Sequence, residues 1–154
     1  MNLSVMFREA CGFFNVGKGL LNTLKNPVNF LGYYISPCAV NLAFSCEIFL
    51  KYLYAVENDG IEHMHSHGLL DIYNDLRKST QDKIQSFYEV NDSILSFEEC
   101  FKCHNKSFVD FRYMYEGRNK IGVEPQSLYN MAVALHNTCV DIDHRNDLMV
   151  QGED

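Results

Sequence analysis

The sequence predicts an all-α protein, an up-and-down helical bundle of about five to six helices. Three observations carry this. Apolar residues recur at the helical period over most of the chain, no stretch demands the strict alternation of a strand, and the three prolines and nine glycines fall between the periodic runs. The 154 residues have the length of one ordinary domain, and no repeat, low-complexity tract or linker divides them. A single domain over 1–154 is therefore expected.

The first helix is expected from Leu3 to Leu24, with Leu3, Met6, Phe7, Ala10, Phe14, Gly17, Leu21 and Leu24 on one stripe, and Asn26-Pro27 ending it. Ser36-Pro37 has the form of an N-cap with proline in the first turn. The helix it opens, to about Glu57, is apolar on almost every face, which suits the centre of a bundle. Asn58-Asp59-Gly60 closes it. A loop with His63, His65 and His67 leads to a short helix carrying Leu69, Ile72, Tyr73 and Leu76. Ser79-Thr80 is expected to cap the next helix, with Ile84, Phe87 and Tyr88. Ser96 with Glu99 forms a capping box for a longer helix, whose stripe is Phe97, Phe101, His104, Phe108, Phe111 and Tyr115, ended by Gly117. Pro125 opens the last helix, with Leu128, Met131, Leu135, Cys139 and Ile142 inward.

The formal charge of −7 repels phosphate, so any nucleic-acid contact must be local. Met1–Glu9 places a charged pair where a secretory signal would be apolar. The most hydrophobic stretch, Pro37–Val56, carries Glu47 and Lys51, each costing about 2.5–3.5 kcal/mol at a bilayer centre. A cytoplasmic protein making no membrane contact is expected, with its six cysteines reduced and mostly packed as small apolar residues.

Three segments, Ser36–Lys51, His67-Gly68-Leu69 and Phe108–Glu116, taken in order, resemble the HEPN superfamily, small helical bundles of prokaryotic defence and toxin–antitoxin systems. Ser36–Lys51 is similar to that family's buried helix, an apolar run with a glutamate and then a lysine one turn later. His67-Gly68-Leu69 resembles the histidine–any residue–leucine start of its next short helix, and Phe108–Glu116 its aromatic–Arg–Tyr segment. Together they span roughly Ser36 to Glu116. The resemblance implies a bundle of HEPN type, a homodimer, and a partner that is RNA, a nucleotide, or an antitoxin or defence-system protein. The family's ribonucleases carry an arginine followed, after four to six residues, by a histidine. None of Arg8, Arg77, Arg112, Arg118 or Arg145 has one at that distance. Histidine can take or give a proton near neutral pH, whereas arginine holds its own, so the chain lacks the motif's acid–base group. His104, His67 or His136 could supply it only by converging in three dimensions.

The expected function is therefore a non-catalytic or weakly active HEPN-like binding protein, with no catalytic residue, cofactor or metal assigned. Alternatives are a metal-independent endoribonuclease with a rearranged histidine, and a purely structural interaction module. Glu47 and Lys51 are expected to form an i,i+4 ion pair, or a polar notch facing a ligand or second subunit. Asn105, Arg112 and Glu116 share one helical face with Val109. Arg112 with Tyr113 could hold phosphate and stack a base, or Arg112 could pair with Glu116. His67 could contact a ligand, but capping the helix after it is the favoured expectation. Cys100-Phe101-Lys102-Cys103-His104 matches the short haem-attachment pattern, yet its helical stripe makes His104 a core histidine. His63, His65 and His67 could hold zinc or copper, but alternating loop histidines are usually incidental.

Overall fold

A computed structural model describes residues 2–26, 33–61, 66–106 and 124–150, the last seven as backbone. The described residues form six helices and no strand: α1 (Leu3–Leu24), α2 (Ile35–Glu57), α3 (Leu69–Asn74), α4 (Lys78–Phe87), α5 (Phe97–His104) and α6 (Pro125–Val150). The chain is an all-α helical bundle.

α2 is its centre. α1 packs along it on one side and α6 on another, while α3 touches α2 and α5, and α4 and α5 lean on α6. The apolar wrapping of α2 explains its position: Cys38, Ala39, Leu42, Ala43, Cys46, Phe49, Leu50 and Leu53 are completely buried. Its second side is less enclosed, with Val40 and Ile48 only partly buried against the core. By length and hydropathy α2 is the one described helix that could cross a membrane, but 61% of that apolar window is buried inside the bundle.

The approach of α1 to α2 is set by a missing side chain. A Cβ on Gly17 would lie 2.6 Å from Leu42 Cγ and 2.7 Å from its Cδ2, and the Cys38 thiol donates to the Gly17 carbonyl at 3.4 Å. Phe7 and Phe14 of α1, Phe49 of α2 and His136 of α6 then meet ring to ring, with centroids about 6 Å apart. A second cluster of Tyr73, Tyr88, Phe97 and Phe101 joins α3 and the end of α4 to α5.

Four expectations about local structure are corrected. Ser36 does not cap α2: the helix begins at Ile35 after Tyr34, whose carbonyl accepts from the Cys38 N–H at 2.9 Å. Pro37 still lies in the first turn, where its missing N–H costs nothing. Ser79 and Thr80 lie inside α4, because Arg77 precedes it and accepts from the Thr80 and Gln81 N–H groups. Arg77 is held in turn by Glu57, whose Oε2 accepts its N–H at 2.9 Å and whose carbonyl accepts from its guanidinium at 2.7 Å. The helix opened by Ser96 does form its capping box, but ends at His104 instead of continuing to Tyr115. The carbonyl and side chain of Asn105 turn instead to α3. Phe108, Phe111 and Tyr115 lie outside the described residues. Lastly, His67 caps nothing, as described below.

Four of the six cysteines (Cys38, Cys46, Cys100 and Cys139) are buried and none is in a disulfide. Burial pushes the thiols of Cys46 and Cys139 well above their ordinary range, Cys100 to about 12 and Cys38 to about 11. These are packing residues without thiolate reactivity.

Candidate functional site

The ion pair expected between Glu47 and Lys51 is present, because residues four apart on a helix lie one above the other: Lys51 Nζ is 2.9 Å from Glu47 Oε1. Its setting is unusual. Glu47 is 2% exposed, in the wall of the central helix. The same Oε1 also receives His67, whose Nδ1 lies 2.8 Å away across twenty residues of chain. A carboxylate oxygen can only accept here, so Nδ1 carries the hydrogen and Nε2 is the ring's open lone pair when the imidazole is neutral. Glu47 Oε2 is buried and has no hydrogen-bond partner among the described residues. One oxygen thus serves two donors while the other serves none.

His67 is aimed at Glu47 by a tightly specified turn. Ser66 Oγ accepts the Gly68 N–H at 2.9 Å and donates to Asp71 Oδ2 at 2.8 Å. Asn105 closes the start of α3 from outside, its carbonyl accepting from Leu69 N–H at 2.9 Å and its Oδ1 from Leu70 N–H at 2.7 Å. No side chain from within the segment caps α3, so Asn105 does the work of an N-cap over a separation of 35 residues. A Cβ at Gly68 would meet Asp71 Oδ2 at 2.5 Å and Asn105 Oδ1 at 2.9 Å, so a side chain there would have to displace these two oxygens.

The residues singled out from the sequence come together only in part. Glu47, Lys51 and His67 converge. Asn105 takes a different role, since its side chain is committed to α3 and it stands at the end of α5 and not along a longer helical face. Arg112, Tyr113 and Glu116, with His63 and His65, lie outside the described residues. The three histidines considered for acid–base chemistry do not converge. His67 sits on Glu47 with its side chain 69% exposed. His136 stands among phenylalanines. His104 is buried in the core as expected, with Nε2 2.8 Å from Ser127 Oγ, which itself donates to the Glu124 carbonyl. Desolvation pushes His104 down to about 4, against a smaller opposing pull from Glu124, so it is neutral at physiological pH. The sequence carries no signal for the Asn105 cap beyond an asparagine near a helix end, and none for the His104–Ser127 bond.

No protein-family model matches this chain, and no curated protein or solved structure matches it at a significant level.

Proposed function

We propose that this protein is a non-catalytic or weakly active HEPN-like binding protein, which receives RNA or a nucleotide at the Glu47–Lys51–His67 notch in a phage-defence or toxin–antitoxin setting. The observation that carries this reading is the buried carboxylate with one oxygen unpartnered among the described residues. An unmade hydrogen bond on a buried group costs about 1–3 kcal/mol, which a ligand donor at this oxygen would recover. A ribose hydroxyl or a base amino group is the kind of donor this carboxylate accepts, and His67, the most exposed member, borders the notch. Lys51 shapes the notch through its pair with Glu47, and a local site of this kind suits a chain whose net charge is −7. The HEPN resemblance adds Arg112 as a further phosphate contact and Tyr113 as a stacking ring. A homodimer belongs to the same proposal and is read directly by sedimentation equilibrium.

A second reading, the metal-independent endoribonuclease, is favoured by one contact. A buried carboxylate holding Nδ1–H leaves His67 Nε2 free as a proton acceptor, the arrangement that orients an imidazole for general-base work. One experiment separates the readings: labelled total RNA incubated with the protein in EDTA, beside His67→Ala and Arg112→Ala. Intact RNA with salt-dependent binding that weakens in Arg112→Ala supports the binding protein. Cleavage lost in His67→Ala replaces it with the nuclease. Neither binding nor cleavage leaves a structural interaction module.

A further inference from the structure

A separate feature lies on the bundle's other flank, between the end of α4, the segment after it and the outer face of α6. It is a cleft of about 330 Å³, at the small end of the range that takes small molecules. Its floor is apolar and partly aromatic: Phe87 and Val133 line it with Tyr129, whose ring stacks on Phe14 at 5.7 Å and 11°. Its rim is rich in hydrogen-bond acceptors. Glu89 Oε2 accepts from Asn91 Nδ2 at 2.8 Å, leaving Glu89 Oε1 and Asn91 Oδ1 open among the described residues. Asn130, only 5% exposed, is fixed between the Asn91 carbonyl and Gln126 Nε2. No lysine, arginine or histidine lines the cleft. Lys83, one turn before Ser86 on the rim, is already committed to Asp141.

We propose that this cleft binds an uncharged heteroaromatic ring bearing an exocyclic amino group, the class that includes the aminated nucleobases. An apolar floor that includes Phe87 and Tyr129 favours a planar ring. A rim with a carboxylate and an open amide oxygen, and with no cation, selects donors and rejects phosphate. The inference does not rest on the Glu47 notch.

The test is titration of the isotope-labelled protein with the free nucleosides adenosine, cytidine, inosine and uridine, followed by NMR. Adenosine and cytidine should shift the amides of Phe87, Asn91, Val133 and Asn137. Inosine and uridine, which carry an oxo group in place of the amine, should bind about tenfold more weakly, the loss of one charge-assisted hydrogen bond. Val133→Phe, which fills the floor, should abolish the shifts. Glu89→Gln and Asn137→Ala, both at exposed positions of the cleft lining where folding is not at stake, should weaken binding while leaving the remaining spectrum in place. The proposal is overturned if millimolar nucleoside shifts nothing at the cleft, if the oxo nucleosides bind as well as the amino ones, or if neither rim variant changes the affinity.

Discussion

Replacing Lys51 with methionine isolates what the Glu47 carboxylate requires of its surroundings. Methionine keeps the length and most of the apolar stem but removes the ammonium 2.9 Å from Oε1. Glu47, 2% exposed, then retains His67 as the single described partner of Oε1, while Oε2 still has none. Breaking one side of a buried ion pair typically costs about 3–5 kcal/mol. The Lys51 side chain is 16% exposed and His67 remains, so the lower end, about 3 kcal/mol, is expected. For a chain of this length that lowers Tm by about 6–12 °C in a thermal melt followed by circular dichroism. The double variant Glu47→Leu, Lys51→Met removes the stranded charge along with its partner, and should recover to within about 1 kcal/mol of the original protein, because apolar replacement of a buried pair is commonly near neutral. A Lys51→Met protein as stable as the original, or a double variant worse than either single one, would refute the view that Lys51 is what compensates the burial of Glu47.

Other expectations follow from the same contacts. Asn105→Ala removes the acceptor for the Leu70 N–H and should cost about 1–2 kcal/mol, with faster hydrogen exchange at Leu69 and Leu70, while Asn105→Asp should retain protection. Gly17→Ala drives a methyl into Leu42, which is wholly buried and cannot yield, so a loss of about 1–3 kcal/mol in urea denaturation is expected despite alanine's better helix propensity. His104 is pushed down to about 4 from an ordinary value near 6.5, so between those values the unfolded chain binds the extra proton. Stability should be full above about pH 6.5 and fall by about 3 kcal/mol as pH drops toward 4, a slope that His104→Gln should remove in urea melts across that range.

What the sequence determined by itself is what repeats along one helix. The period of Leu3 to Leu24, the all-round apolarity of α2, the Ser96–Glu99 capping box and the Glu47–Lys51 pair all depend on residues three or four apart, and backbone geometry alone brings those together. Helix starts were less legible, since Ser36 and Ser79 have capping chemistry but Tyr34 and Arg77 hold the capping positions. At Arg77 the decision came from Glu57, on another helix. The tertiary structure alone decided that His67 would fall on Glu47 and not cap α3, that Asn105 would cap that helix instead, and that His104 would be neutral against Ser127. Each of these joins groups twenty or more residues apart. No periodicity encodes such a meeting; it exists only once α2, α3, α5 and α6 have packed and fixed which polar groups are left facing one another.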